Sequence, residues 1–211
     1  MIKNIIFDLG GVILNIDYNL TSRAFKSVGI KNFDEVYSQA SQSDLFDKFE
    51  IGKISAAEFR NKIREICKSD ISDADIDKAW NAMLLDLPAY RIEILKNAAK
   101  NYQTFLLSNT NIIHLKEYSN QLNIEYGIKN LDILFDKAYY SHEVGLRKPN
   151  ADIFEFVIKE QNLKAEETLF IDDSIQHIEG ASNLGLKTFF MDRSENMELK
   201  DIFNSDGILK I

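Results

Sequence analysis

Ile5-Ile6-Phe7-Asp8-Leu9-Gly10-Gly11 is an apolar run that ends on a carboxylate and then on a pair of glycines. A run without polar side chains reads as a strand buried on both faces, and Asp8 falls where such a strand leaves its sheet. Four later runs have the same character: Phe105 to Leu107, Ala138 to Tyr140, Leu169 to Ile171 and Thr188 to Met191. Helical patterns separate most of them. Pro88 is placed to open a helix with Ile92, Leu95 and Ala99 on one face, and Asn150 to cap one that carries Ile153, Phe154, Val157 and Ile158. A third runs from Ser174 through Ile178 and Ala181 to Gly185, a residue suited to a left-handed helix end. From Pro88 onward helix and strand therefore alternate, which predicts an α/β fold with a parallel sheet covered on both faces.

Residues 17–86 interrupt that alternation with several helical patterns in succession and no strand pattern. Ser55-Ala56-Ala57-Glu58 is a capping box, flanked by Ile54 and Phe59 as a hydrophobic staple. Phe59, Ile63 and Ile66 form one apolar stripe, Ile76, Ala79, Trp80 and Met83 another, and Leu20, Ala24, Phe25 and Val28 a third that stops at Gly29. The expected organisation is an α/β core made of 1–16 and 87–211, with an all-helical cap of 17–86 inserted after the first strand. The plainer alternative is a helical half of one undivided domain.

A chain of 211 residues with 45% hydrophobic content has enough apolar material for a real core. Its net charge of −8 disfavours a phosphate-backbone binder, so nucleic acid is not an expected partner. Cys67 is the sole cysteine, which excludes an intrachain disulfide and a thiolate metal cluster and suits a reducing cytoplasm. The first residues lack a basic stretch and their apolar run is broken by Asp8, so neither a signal peptide nor a membrane span is expected.

In an open parallel sheet, ligands bind beyond the C-terminal strand ends, and Asp8, Ser108 and Asp172 all follow apolar runs. Asp8 is the candidate nucleophile, because a carboxylate attacks phosphorus once a metal offsets its repulsion from the phosphate dianion. Taken alone, Asp before Gly-Gly is simply a turn. Asp172 and Asp173 add two carboxylates whose crowding with Asp8 calls for a divalent cation, and Mg2+ suits an all-oxygen site to which the Gly10 carbonyl adds one ligand. Asp172 is the better ligand candidate and Asp173 the residue that orients it. The same Asp-Asp pair also suits a helix cap. Lys148, fixed by Pro149, is a point charge for phosphate, while Ser108 and Asn109 offer a hydroxyl and N–H donors to phosphate oxygens. His114, His142 and His177 show no metal-ligand spacing and read as surface or helix-flanking residues. No Gly-x-Ser-x-Gly elbow and no complete Gly-x-Gly-x-x-Gly fingerprint occurs.

Phe7-Asp8-Leu9-Gly10-Gly11, Leu107-Ser108-Asn109-Thr110, Arg147-Lys148-Pro149 and Phe170-Ile171-Asp172-Asp173, in that order, resemble the haloacid dehalogenase-like (HAD) hydrolase superfamily. The helical insert resembles its members with a helical cap, and the wording of the segments looks most like the bacterial α-D-glucose-1-phosphate phosphatase branch. The resemblance implies a Rossmann-like core, Asp8 as nucleophile, and Ser108, Asn109 and Lys148 as binders of the substrate's phosphoryl group. It implies Mg2+ held by Asp8, the Gly10 carbonyl and Asp172, and hydrolysis of a small phosphorylated metabolite such as glucose 1-phosphate through an aspartyl-phosphate. Gly10 departs from the pattern: most phosphatases of the superfamily carry an acid/base aspartate two residues after the nucleophile. A second reading therefore stays open at this point, a metal- and phosphate-binding regulatory module with weak turnover.

Overall fold

A computed structural model describes residues 1–30, 33–35 and 44–210. Residues 31, 32 and 36–43 of the expected cap, and residue 211 of the expected core, lie outside the described residues.

Five strands form one parallel sheet: β1 (Asn4–Phe7), β2 (Gln103–Ser108), β3 (Lys137–Tyr140), β4 (Thr168–Asp172) and β5 (Lys187–Phe190). Their spatial order is β3-β2-β1-β4-β5, with β1 at the centre. Each of the five apolar runs forms a strand. The reason is visible in the clusters: Ile5, Phe7, Leu106, Leu169 and Ile171 pack on one face, while Ile6, Phe105, Leu107 and Phe170 pack on the other. Alternate side chains leave a strand on opposite faces, so a strand covered on both sides must be apolar throughout.

The described helices between residues 18 and 81 are α1 (Tyr18–Ser27), α2 (Leu45–Glu50), α3 (Ala56–Cys67) and α4 (Asp73–Asn81). The capping box is formed: Ser55 Oγ accepts the Glu58 N–H at 3.2 Å and Glu58 Oε2 accepts the Ser55 N–H at 2.7 Å. Phe25, Phe49, Phe59, Ile63, Ile76 and Trp80 form a hydrophobic cluster distinct from the two that cover the sheet. Its aromatic rings stack in pairs, Phe49 on Phe59 at 4.2 Å and Phe46 on Trp80 at 5.3 Å between centroids. Each such pair contributes about 0.5–1.5 kcal/mol beyond burial. Two linkers join this helical unit to the sheet, and they run side by side. Asn15 N–H donates to the Asp86 carbonyl and Leu85 N–H to the Asn15 carbonyl, both at 3.0 Å, and Ile16 bridges Leu84 in antiparallel fashion.

The sheet is flanked by α5 (Ala89–Ala98), α6 (Ile112–Tyr126), α8 (Ala151–Glu160) and α9 (Ile175–Ser182), with the short α7 (Ser141–Val144) following β3. In α5 it is Ala98, not the expected Ala99, that joins Ile92 and Leu95 in the core. Ala99 is the helix's C-cap and is exposed, because the helix ends one residue before the apolar periodicity does. Asn150 and Ser174 precede α8 and α9 as expected, and Gly185 adopts φ +82° just after α9.

Candidate active site

The register of the central strands puts the chemistry at one edge. Phe7 pairs with Leu106 on one side and Ile171 on the other, so Asp8 and Asp172 emerge at the same level. Ser108 ends β2 two residues beyond Leu106 and is buried. Lys148 reaches in from the loop before α8, and its ammonium lies 2.6 Å from Asp8 Oδ1 and 2.7 Å from Asp172 Oδ2. The lysine and Asp172 are both fully buried, and Asp8 is 7% exposed. The Phe170 ring, 5.3 Å from Nζ, closes one side of the ammonium. Asp173 completes a group of three carboxylates, each offering an oxygen within 4.8 Å of the others.

Burial is the largest influence on every charge in this group. It pushes Asp8 up to about 7; Lys148 pulls against that shift, and Asp172 and Asp173 add to it. Burial also opposes the charges of Lys148 and Asp172, but their attraction for each other, with that of Asp8 for the lysine and the contact of His177 with Asp172, together outweigh it. The ammonium is held above its ordinary range and the Asp172 carboxyl below its own. Burial and the neighbouring Asp172 raise Asp173. Three carboxylates face two cations, Lys148 and Arg193, whose Nη1 lies 3.7 Å from Asp173 Oδ2. A phosphate dianion entering such a site meets net negative charge unless a divalent cation is bound. An all-carboxylate oxygen set of this spacing suits Mg2+.

Asn109, expected to bind substrate, turns its side chain to the loop of Lys148. Its Nδ2 donates to the Lys148 carbonyl at 2.9 Å and its Oδ1 accepts the Lys148 N–H at 3.0 Å. This reciprocal pair fixes where the lysine starts. Gly11 has φ +78°, and a Cβ there would collide with the Asp173 carboxylate, so the second glycine is required by backbone conformation and by space. Gly10 lies against Ile16, whose Cδ1 would be 3.0 Å from a Cβ at residue 10.

The histidines depart from expectation. His114 is 7% exposed and sits where α6 meets α4, stacked on Trp80 with centroids 5.2 Å apart. Its Nε2 donates to the Trp80 carbonyl and its Nδ1 accepts from Asn111 Nδ2, each at 3.2 Å. It belongs to the apolar contact of the two units and is not a surface residue. His142 is half-buried against the turn after α2: a Cβ on Gly52 would strike its carbonyl. His177 places Nδ1 3.0 Å from both oxygens of Asp172. Asp172 ends β4 and His177 lies in the first turn of α9, five residues on, a separation outside the helical i,i+3 and i,i+4 pairs.

Three arginines in the surroundings were not legible as site residues. Arg91 is buried and donates Nη1 to the Ile13 carbonyl and to Asn15 Oδ1, both at 2.9 Å, which braces the first linker. Arg193 Nη2 donates to the Ile16 carbonyl at 3.1 Å on the same linker. Arg147, the neighbour of Lys148, pairs with Asp47 and, at 3.1 Å, with Glu50 of α2. Ser141 Oγ donates to the Glu50 carbonyl at 2.6 Å and accepts the Thr110 N–H at 2.9 Å.

The family model described as "haloacid dehalogenase-like hydrolase" matches residues 2–185. A D-ribitol-5-phosphate phosphatase of Bacteroides thetaiotaomicron is 33% identical over 207 residues, covering 97% of this chain and all of the relative. The crystal structure of a HAD family enzyme from the same organism superposes with a TM-score of 0.84 at 37% identity, over 90% of this chain and 93% of the other. Another crystal structure of that enzyme, in complex with magnesium and inorganic phosphate, gives 0.81 at 37% identity, with 90% and 94% covered. An L-2-haloacid dehalogenase from Xanthobacter autotrophicus shares the fold, with a TM-score of 0.61 at 17% identity over 92% and 78% of the two chains.

Proposed function

The chain belongs to the haloacid dehalogenase-like hydrolases, and on that premise we propose that it is an Mg2+-dependent cytoplasmic phosphatase of a small phosphorylated sugar or sugar alcohol. The observation that carries the reading is the buried ammonium of Lys148 between Asp8 and Asp172, with Asp173 beside them. A carboxylate so placed is held at a strand end facing outward, and its counter-ion is fixed in advance of any ligand.

In the proposed reaction an Asp8 carboxylate oxygen attacks phosphorus, the bond from phosphorus to the alcohol oxygen breaks, and the leaving alkoxide takes a proton from a solvent water. Water then attacks phosphorus, the aspartyl–phosphate bond breaks, and inorganic phosphate and Asp8 are released. Lys148 neutralises charge on the nucleophile and the phosphoryl group, and Ser108 with the N–H groups after it donates to phosphate oxygens. Asp8, Asp172 and the Gly10 carbonyl would hold Mg2+, with Asp173 orienting them, and the bound ion supplies the neutralisation that lets a dianion approach a carboxylate. Residues 17–86 act as the cap, docked on the core beside this centre.

The substrate class is broader than the glucose 1-phosphate suggested by the motif wording. The relative at 33% identity is named for D-ribitol 5-phosphate, and Gly10 brings no carboxylate of its own to assist the leaving oxygen. Purified protein should hydrolyse p-nitrophenyl phosphate with Mg2+ and not with EDTA, and Asp8→Asn should lower kcat by at least about a thousandfold. Activity that survived Asp8→Asn would remove the nucleophile from this reading.

A further inference from the structure

Gly10 brings no carboxylate to the leaving oxygen, and Ile16 fills the space beside it, with Cδ1 3.0 Å from where a Cβ would stand. A proton donor for that oxygen has to come from elsewhere, and the cap faces the reactive edge across a cleft. Among the described residues the carboxyls lining that cleft are Asp34 and Glu50. Lys26 Nζ and Ser22 Oγ each donate to Asp34 at 2.6 Å and hold its carboxyl below the usual range, so it stays ionised. His114, on the core side of the same cleft, donates Nε2 to the Trp80 carbonyl and is pushed down to about 4 by burial.

Glu50 differs in place and in surroundings. It is the last residue of α2, and its carbonyl accepts Ser141 Oγ at 2.6 Å, while the same hydroxyl accepts the Thr110 N–H at 2.9 Å. One side chain therefore ties the Glu50 backbone to the loop that leaves β2 at Ser108. The Glu50 side chain is 27% exposed, and its Oε2 is buried. Arg147 Nη2 lies 3.1 Å from that oxygen, yet among the described residues Oε2 makes no hydrogen bond. Burial raises the Glu50 carboxyl above its usual range; Arg147 opposes the rise, Asp47 on the same helix adds to it, and Lys148 opposes it. That the charge of Lys148 acts on Glu50 also places this carboxyl near the reactive group. A general acid needs to keep its proton until the leaving oxygen calls for it, and a neighbouring guanidinium stabilises the carboxylate left behind.

We propose that Glu50 is the proton donor to the leaving oxygen and supplies from the cap the acid that Gly10 lacks. The inference rests on the phosphatase reading above and adds to it a route faster than protonation by solvent water. As Asp8 attacks and the bond from phosphorus to the alcohol oxygen breaks, that oxygen takes the Glu50 proton and leaves as the alcohol. The Glu50 carboxylate then takes a proton from the water that attacks phosphorus, the aspartyl–phosphate bond breaks, and inorganic phosphate departs with Glu50 protonated and Asp8 ionised.

The test is kcat/KM on the full chain with Mg2+ for two kinds of ester. D-ribitol 5-phosphate and glucose 6-phosphate release an alkoxide that needs a proton, whereas p-nitrophenyl phosphate releases a phenolate that does not. Glu50→Gln keeps the shape of the side chain and the Ser141 contact; it should lower kcat/KM for the alkyl esters by about a hundredfold and for the aryl ester by less than about threefold. Arg147→Met breaks the same ion pair but keeps the acid, so the alkyl-to-aryl ratio should stay within about threefold of wild type. A folded Glu50→Gln protein that lowers both kinds of ester equally, or neither, would overturn the inference. So would an Arg147→Met protein that loses the alkyl esters selectively, or a wild type that cleaves the aryl ester alone. Should Glu50→Gln fail to fold, a series of substituted phenyl phosphates on the wild type decides: with a donor in place kcat/KM varies by less than about tenfold across the series, and a steeper dependence on phenol acidity overturns the proposal. Hydrolysis of p-nitrophenyl phosphate without these differences defeats only this inference, whereas no hydrolysis of any ester defeats the phosphatase reading and this inference with it.

Discussion

Replacing Lys148 with Met keeps the length and apolar stem of the side chain and removes only the ammonium. That ammonium is fully buried and sits 2.6 and 2.7 Å from two carboxylates that are themselves nearly or wholly buried. Its loss leaves Asp8 and Asp172 facing each other without the ammonium, with the His177 ring as the remaining contact of Asp172. Breaking a buried ion pair from one side costs about 3–5 kcal/mol. In a chain of this size each kcal/mol lowers Tm by about 2–4 °C, so the variant should melt about 6–20 °C below wild type. The measurement belongs at pH 8, because burial pushes Asp8 up to about 7 and protonation of that carboxyl at lower pH relieves part of the repulsion. Mg2+ supplies the missing positive charge, so saturating Mg2+ should raise the Tm of Lys148→Met by more than that of wild type. Differential scanning fluorimetry with Mg2+ or EDTA reads both quantities, and kcat should fall by orders of magnitude in the same sample. A Tm drop below 2 °C at pH 8, or equal Mg2+ shifts in the two proteins, would refute the electrostatic account of the site.

Other outcomes follow from single contacts. Gly11→Ala forces an alanine to φ +78° and its Cβ into Asp173, so it should lose at least about 1–2 kcal/mol of stability and weaken Mg2+ binding measured by calorimetry. His114 titrates near 4 in the fold against 6.5 when exposed, so the unfolded chain takes the proton first. The stability it contributes is intact above pH 6.5 and is lost as pH falls towards 4, by about 2 kcal/mol between pH 7 and pH 5. His114→Gln should flatten that part of the Tm profile. Gly10→Asp should bring little gain on alkyl phosphates by itself, since its Cβ meets Ile16 Cδ1 at 3.0 Å. Gly10→Asp with Ile16→Ala opens the space, and a rate rise of about a hundredfold only in the double variant would show that the position lacks both an acid and room for one.

The sheet was legible because its information is local. A strand buried on two faces must be apolar at every position, and Ile5 to Phe7 and Leu169 to Ile171 satisfy that condition without reference to anything distant. Asp8 and Asp172 were legible for a different reason, as charged residues at the ends of such runs, and Lys148 through Pro149 and the Arg147-Lys148-Pro149 segment of the resemblance. Arg91, Arg147, Arg193 and His114 carried no such signal. An arginine in a polar stretch reads as solvated, yet Arg91 is buried by a linker 76 residues earlier in the chain. His114 reads as the polar face of α6 until Trp80 covers it, and that contact depends on how the cap folds back. The side-chain role of Asn109 in holding the Lys148 backbone had no local signal, since that partner lies 39 residues away.

Besides the buried His114–Trp80 stack, the contacts of the helical unit with the core are of two kinds, and they differ in strength. At residues 15–17 and 83–86 the linkers are joined by backbone hydrogen bonds and braced by the buried guanidinium of Arg91. Near residues 47–52 the contact with 141–147 consists of the Arg147 ion pairs, the Ser141 hydrogen bond to Glu50 and the fit of Gly52 against His142. The Arg147, Asp47 and Glu50 side chains are 27%, 56% and 27% exposed, so water screens their attraction. Pairs of that exposure contribute about 0–1 kcal/mol each. Separation of the two units should therefore begin at the Arg147 side and pivot on the paired linkers. The same arginine adjoins Lys148, whose backbone is held independently by Asn109. The loss of the Arg147 pairs thus leaves the counter-ion of Asp8 anchored, and the reactive charges keep their arrangement while the cleft above them is exposed.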